Sequence, residues 1–243
     1  MTRARLVFSA LLLFLAVLLS AFVVWPEMDL ALSGVFAHGT AGFYWQGNAF
    51  LTLLSRLVYY GSRGMALFFV AALIISLWQK KEAAGLSARA WLFLLLALLL
   101  GPGLIANFVF KDHWGRARPK HIVAFGGDKP FTPAFVVSNA CQHNCSFVSG
   151  DAAFGFFLPS FAYVVARRRR RAVFWSAMGL GSGFALARLF LGAHFMSDIL
   201  GAALVSLLTS FALHALLFRL KETQAAWQEW FSLSPRACAV EPV

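Results

Sequence analysis

Long apolar runs without a charged residue constrain this chain more than any other feature of its sequence. The first runs from Leu6 to Trp25, and a helix of about 20 apolar residues crosses the roughly 30 Å of a bilayer's hydrocarbon core. Charged residues make up 13% of the chain, against about 25% in an average soluble protein. The high apolar content excludes a disordered chain. It also argues against a soluble globular enzyme, because such runs would lie on a water-facing surface. The sequence predicts an all-α membrane protein.

We predict a bundle of about six transmembrane helices whose two termini lie in the cytoplasm. The spans are expected at residues 6–25, 65–78, 91–110, 147–166, 172–186 and 199–218. The first is longer than the apolar core of a signal peptide, about 7–15 residues, which favours a retained anchor over a cleaved signal. Residues 50–58 show helical apolar spacing around Arg56, as in a helix at the membrane interface or an ordinary loop helix. Pro102 predicts a kink in the third span.

The basic residues orient this predicted bundle. Thirteen of the 21 Lys and Arg residues fall in segments predicted to be cytoplasmic, including five consecutive arginines at 167–171. The N-terminus is then cytoplasmic by the positive-inside rule. The arginine run also suits a patch for anionic lipid or nucleic acid, but topology accounts for it. The net charge of +11 therefore requires no nucleic-acid partner.

Three polar clusters stand out at the ends of the predicted spans, and all three fall on the predicted outer side. They occupy residues 111–119, 146–151 and 188–198. Polar and ionisable groups are costly at membrane depth, so they point to a functional site. A transporter would be expected to place such groups near mid-membrane on broken helices. Their position at the ends of spans favours an enzyme acting at the membrane surface.

The three clusters contain two features expected of a phosphate-binding pocket, namely cationic side chains and the start of a helix. Lys111, Arg118 and Arg188 supply three cations, and guanidinium groups match phosphate oxygens in a bidentate manner. Ser149 and Gly150 open a predicted helix, and the backbone N–H groups at a helix N-terminus attract anions. We expect these five residues to bind phosphate.

The third cluster contains a candidate nucleophile. His194 and Asp198 lie four residues apart and so share one face if the helix has begun. A carboxylate that accepts a hydrogen bond from one imidazole nitrogen leaves the other nitrogen free as a nucleophile or base. Surrounding cations would neutralise the transferring phosphoryl group. Phosphoryl transfer through a phosphohistidine therefore needs no metal or other cofactor here.

The ordered motifs also resemble a known family. The patterns are Lys111-x6-Arg118-Pro119, then Ser149-Gly150, then Arg188-x5-His194-x3-Asp198. This arrangement is similar to the three-part signature of the type-2 phosphatidic acid phosphatase superfamily, which includes integral-membrane lipid phosphate phosphatases. The resemblance implies that His194 is the nucleophile and Asp198 its orienting partner. It also implies that the cations, Ser149 and the Gly150 amide hold the phosphate.

Two positions depart from the family pattern. Asp151 stands where the family has a histidine that resembles the general acid for the leaving oxygen, and Ala187 stands where a serine is usual. An ordinary Asp, with a pKa near 3.9, is ionised at neutral pH. Three hypotheses follow: Asp151 is held protonated, His113 or His143 substitutes for it, or the leaving group needs little protonation.

Cys141 and Cys145 lie just before the second motif. In an oxidising periplasm they would form a disulfide that braces the loop. Free thiols are one alternative. A zinc site with His143 or His121 is another, although no fourth ligand is evident.

We therefore predict a single membrane-embedded domain over residues 1–243, with a motif-bearing core at 90–218 and a cytoplasmic tail at 219–243. The expected activity is removal of phosphate from a lipid head group at the periplasmic face of a bacterial inner membrane. Lipid A phosphate and undecaprenyl diphosphate are favoured over phosphatidate and phosphatidylglycerophosphate as substrates. The alternatives are a lipid phosphotransferase, a transporter, and a non-catalytic binder of anions or lipids.

Overall fold

The protein is all-helical over the region that the structure, a computed structural model, describes. That region covers the backbone of residues 3–219 and the side chains of residues 8–218. It contains the helices α1 (Arg3–Val24), α2 (Glu27–Gly34), α3 (Ala49–Gln79), α4 (Ala88–Leu98), α5 (Gly150–Phe157), α6 (Phe161–Val164), α7 (Arg170–Phe190) and α8 (Met196–Arg219), and no β-strand. The predicted fold class is thereby confirmed. The predicted cytoplasmic tail lies, from residue 220 onwards, outside the described residues.

The chain begins with a bent pair of helices. α1 and α2 meet at an angle of 98°, and the turn between them contains Pro26, whose ring restricts the backbone and which lacks an N–H group. α1 packs along α8, with the Phe8 and Phe211 rings stacked 5.4 Å apart between centroids. The short α2 buries Asp29 and Ser33. The bend thus carries an acidic side chain into the interior beside the start of α8.

α3 is one continuous helix of 31 residues. The expectation of a separate helix at 50–58 is wrong, because residues 59–64 continue the helix into the predicted span at 65–78, which lies within α3. Asn48 caps the start, with its Oδ1 accepting from the Leu51 amide at 3.0 Å. At 1.5 Å per residue the helix is about 46 Å long, so it extends beyond the roughly 30 Å hydrocarbon core.

α4 continues without a break into a π-helical stretch, Leu99–Lys111. Pro102, where a kink is predicted, lies inside this stretch, and prolines and π-helical turns are both common causes of helix kinks. The side-chain amide of Asn107 donates to the Pro102 carbonyl at 2.7 Å. The stretch ends on Lys111 and thereby places the first motif at the end of the helix.

The fourth predicted span is broken into short pieces. α5 is followed by a 3₁₀ turn, Leu158–Ser160, and then by α6, because Pro159 interrupts the regular hydrogen bonding. α5 crosses α7 closely at Gly155 and Gly181, where a Cβ on either would lie 2.7 Å from the backbone of the other. Surrounding helices cover nearly all of α5, so it forms the centre of the bundle.

Four helices are long and apolar enough to cross a membrane, or five if α1 and α2 count as one bent span. The candidates, besides that pair, are Ala49–Gln79, Ala88–Lys111, Arg167–Phe190 and Met196–Phe218. The chain is therefore a multi-pass membrane protein. The count of six spans, the cytoplasmic termini and the single-domain organisation stay predictions.

Candidate active site

The structure brings the three polar clusters together at one end of the bundle. The Ser149 amide donates to the Asp198 carbonyl at 3.2 Å, joining the second cluster to the third. The Cys145 amide donates to the Lys111 carbonyl at 3.1 Å, and the Ser146 amide donates to the Arg116 carbonyl at 2.8 Å. Backbone hydrogen bonds therefore connect segments that are far apart in sequence, and the relative positions of their side chains are fixed.

His194 is held in one tautomer by a backbone carbonyl. Its Nδ1 lies 2.7 Å from the Ser146 carbonyl oxygen, and a carbonyl can only accept, so Nδ1 carries the hydrogen. Nε2 then keeps its lone pair. The Asp198 carboxylate is farther away, at 3.6 Å from Nδ1. The carbonyl thus takes the hydrogen-bonding role expected of Asp198, and the carboxylate acts on the ring through its charge.

The charge state of His194 also suits a nucleophile. Its side chain is 1% exposed, and burial together with the nearby Arg118 and Arg188 lowers the pKa of His194 to about 3, against the opposing influence of Asp198. A group whose folded pKa lies below its unfolded value stays unprotonated down to the lower value. His194 is therefore neutral at pH 7.

Asp198 is completely buried and fully hydrogen-bonded. Its Oδ1 accepts from Arg116 Nη1 at 2.6 Å. Its Oδ2 accepts from Ser146 Oγ at 2.5 Å and from the Phe195 amide at 2.8 Å. The carboxylate therefore connects the first and second clusters to the beginning of α8.

Ser149 and Gly150 begin α5, as predicted. The Ser149 hydroxyl caps the helix by accepting from the Ala152 amide at 3.4 Å. A Cβ added at Gly150 would lie 2.6 Å from Asn107 Oδ1 and 3.2 Å from Lys111 Nζ. Only glycine leaves room for these two groups. The Lys111 ammonium therefore lies against the N-terminus of α5, where an anion is attracted.

Arg118 is fixed by the loop that precedes the second motif. Its Nη2 donates to both the carbonyl and the Oδ1 of Asn144, each at 2.8 Å. Burial, with a contribution from Arg188, lowers the pKa of Arg118 to about 10. The guanidinium therefore stays charged at neutral pH, and Asn144 determines its orientation.

Arg188 contacts both the predicted acid and a helix outside the motifs. Its Nε lies 3.4 Å from Asp151 Oδ2, and its Nη1 donates to Ser55 Oγ of α3 at 2.5 Å. The Asp151 side chain is 21% exposed. It therefore lies at the edge of the site, beside a cation.

The two histidines considered as replacement acids are exposed. His113 Nδ1 lies 2.8 Å from the Phe108 carbonyl, at the end of its own helix. Among the described side chains, neither His113 nor His143 forms a hydrogen bond with the candidate site. Of the three candidate acids, Asp151 is the one that contacts a cation of the site, Arg188.

Cys141 and Cys145 form a disulfide with a Cα–Cα distance of 5.6 Å. The pairing favoured from the sequence is confirmed, and thiolate ligands for zinc at this position are ruled out while the bond is intact. The disulfide closes a short loop that contains Asn144. It thus braces the residue that orients Arg118.

Several residues of the site had no role predicted from the sequence, although two of them, Arg116 and Ser146, lie within the predicted polar clusters. They are Asp29, Ser55, Asn107, Arg116, Asn144 and Ser146. Asp29 and Arg116 carried a usable signal, since ionisable residues in or beside apolar segments are rarely without a role. Ser55 and Asn144 carried none, because only the folded chain brings them to the arginines.

Three curated relatives resemble the chain over most of its length. A "Lipid A 4'-phosphatase" of Francisella tularensis subsp. novicida is 37% identical over 207 residues, which are 83% of this chain and 91% of the relative. Proteins of the same description from Rhizobium etli and Rhizobium leguminosarum are each 32% identical over 213 residues. These cover 82% of this chain, and 82% and 91% of the relatives. No solved structure shows a significant match.

A family model agrees with the three motifs. The model for the PAP2 superfamily matches residues 90–222, which include every motif residue from Lys111 to Asp198 and nearly coincide with the predicted core at 90–218. Together with the relatives, it confirms the prediction of a phosphatase. The matched region and the identities show that the chain belongs to the PAP2 superfamily.

Proposed function

We propose that this protein is a lipid A phosphatase that works through a phosphohistidine on His194 at the periplasmic face of the inner membrane. The observation that carries the proposal is the state of His194: it is neutral, its Nδ1 is bound to the Ser146 carbonyl, and its pKa is about 3. The names of the three relatives support lipid A as the substrate.

In the first chemical step, the Nε2 lone pair of His194 attacks phosphorus. The bond between phosphorus and the lipid oxygen breaks, and that oxygen leaves with the electron pair. The ring gains positive charge while Nδ1 keeps its proton. The Asp198 carboxylate, 3.6 Å from Nδ1, offsets this charge, which develops only as the reaction proceeds.

The cations and the start of α5 bind the phosphoryl group. Lys111 lies against Gly150 at the N-terminus of α5, and Arg118 is oriented by Asn144. Arg188 completes the set of cations and also contacts Asp151. Three cations and the backbone amides would neutralise the phosphoryl oxygens without a metal.

The leaving oxygen belongs to an alcohol and therefore needs a proton. Asp151, in the first turn of α5, is the group we assign as the acid, and this step requires its protonated form. After delivering its proton, its carboxylate accepts a proton from the water that attacks the phosphohistidine. The P–N bond then breaks, inorganic phosphate leaves, and His194 returns to its neutral form. The same group thus acts as acid and then as base.

Phosphate release from lipid A by the purified protein in detergent tests this proposal. We expect wild type to release inorganic phosphate and His194→Ala to release none above background, because the nucleophile is lost. Wild type quenched with alkaline detergent should contain a phosphoryl group that is stable in base and is lost on treatment with acid. Full activity of His194→Ala would exclude the phosphohistidine route.

The same assay tests the acid. General acids contribute about 10²–10⁴-fold, so Asp151→Asn should lower kcat by at least about 100-fold. Asp151→His should retain more activity than Asp151→Asn, because an imidazolium can donate a proton. If both variants match wild type at every pH, Asp151 is not the acid.

A further inference from the structure

A buried group of three charges lies behind the candidate active site. Arg116 Nη1 is 2.6 Å from Asp198 Oδ1, and Arg116 Nη2 is 2.8 Å from Asp29 Oδ2. All three side chains are 0% exposed. Removing one partner from a buried ion pair is strongly destabilising, because an uncompensated charge is left behind. This buried group is therefore stable only if each of the three side chains keeps its charged partner.

Arg116 differs from the other two arginines of the motifs. Two further donors are also used, with Nε bound to the Thr132 carbonyl at 2.8 Å and Nη1 bound to Ser197 Oγ at 2.8 Å. Its guanidinium carbon lies 4.2 Å from the centre of the Phe195 ring. Since it is fully enclosed, Arg116 has no surface with which to contact a phosphate. Its charge acts on the site through Asp198.

Asp29 connects this group to the N-terminal helices. Its Oδ1 accepts from the Ser197 amide at 3.0 Å, and its Oδ2 accepts from the Ser197 hydroxyl. Ser197 lies in the first turn of α8, so a carboxylate there also complements the helix N-terminus. Asp29 belongs to α2 and lies outside the family match at residues 90–222. A segment outside the common family region thus contacts the residue adjacent to Asp198.

We propose that Arg116 and Asp29 are positioning residues that hold Asp198, and through it the charge balance at His194, by a buried Asp29–Arg116–Asp198 contact joining α2 to the active site. The inference rests on the proposed role of His194. Arg116 keeps the Asp198 carboxylate ionised and directed towards the ring. Asp29 binds Nη2 of the Arg116 guanidinium, neutralises part of its positive charge and fixes the orientation of its plane.

The kinetic test separates positioning from phosphate binding. Substitution of a residue that supports a reactive group commonly lowers activity about 10–100-fold. Arg116→Gln should therefore lower kcat about 100-fold and leave KM within about threefold of wild type, because phosphate binding is untouched. Arg118→Gln should instead raise KM. Arg116→Lys, which keeps the positive charge, should have a kcat about tenfold higher than that of Arg116→Gln. Lys81→Gln, on an exposed loop between α3 and α4, serves as the unchanged control.

A double variant separates positioning from simple charge neutralisation. If Arg116 only balanced Asp29, then Asp29→Asn combined with Arg116→Gln would restore wild-type kcat. We expect the double variant to remain as slow as Arg116→Gln, since Asp198 still lacks its donor. Restoration would overturn the proposal. Thermal unfolding in detergent, measured on every variant, establishes which of them are folded.

Asp29→Asn provides the test if Arg116→Gln does not fold. It keeps the Arg116–Asp198 contact and removes one charge, so kcat should fall about fivefold with KM unchanged. A wild-type kcat for Asp29→Asn, or for a folded Arg116→Gln, would overturn this inference alone, provided that His194→Ala is inactive. Activity in His194→Ala would instead overturn the proposed function.

Discussion

At the scale of single residues, the site depends on hydrogen bonds that satisfy buried polar groups. His194 is neutral because it is enclosed among cations, and the Ser146 carbonyl selects its tautomer. The Ser146 hydroxyl at the same time donates to Asp198. One serine therefore contacts both members of the predicted pair. The motif pattern predicted the pair, but a serine preceding the second motif gave no sign of this double role.

The pKa of His194 leads to a pH dependence of stability. Because the folded pKa, about 3, lies below the usual value near 6.5, the unfolded chain binds a proton between these two pH values and the folded chain does not. Stability should therefore fall as pH falls below about 6.5. We expect the Tm in detergent to decrease more steeply from pH 6.5 to pH 4 for wild type than for His194→Gln. Parallel curves for the two proteins would contradict the burial of a neutral imidazole.

At the scale of helices, α5 determines how closely the bundle packs. It carries Ser149, Gly150 and Asp151 in its first residues, and it crosses α7 where two glycines meet. Small residues at such crossings let backbones approach closely, as in other membrane bundles. Because Arg188 lies on α7, this crossing also sets the distance between Arg188 and the start of α5.

A matched pair of glycine substitutions on α7 tests the crossing. In Gly181→Ala the added Cβ would lie 2.7 Å from the backbone of Gly155, and such overpacking typically costs about 1–3 kcal/mol. In Gly183→Ala the added Cβ meets nothing within 4 Å. We expect thermal unfolding to show a Tm several degrees lower for Gly181→Ala and an unchanged or higher Tm for Gly183→Ala. Equal values for both would show that the crossing tolerates a wider separation.

At the scale of the whole molecule, the site lies at one end of the bundle, and the arginine run at 167–171 leads into the first residues of α7, at the opposite end of that helix. Arg188 is at the end of α7 and the run is at the beginning. A phosphatase with this arrangement would keep the acyl chains of its substrate in the bilayer and receive the head group at one surface. The charge pattern supports the proposal that this surface faces the periplasm.

Cysteine labelling in spheroplasts tests this orientation. Asp128 has an 80% exposed side chain in the loop that contains the candidate site, and Glu82 is exposed in the loop between α3 and α4. In a Cys238→Ser background, a membrane-impermeant maleimide should label Asp128→Cys in intact spheroplasts. Glu82→Cys should react only after lysis. The reverse pattern would place the site in the cytoplasm.

The apolar runs, the family and the motif residues from Lys111 to Asp198 could be predicted from the sequence alone. These follow from local properties, namely the length of an apolar run and the fixed spacing within each motif. The structure decided what depends on contacts between distant segments. A serine carbonyl binds His194, α3 runs unbroken for 31 residues, and Asp29 reaches Arg116 across 87 positions. No local pattern encodes such pairings, because the burial that makes a polar group need a partner exists only once the helices have packed.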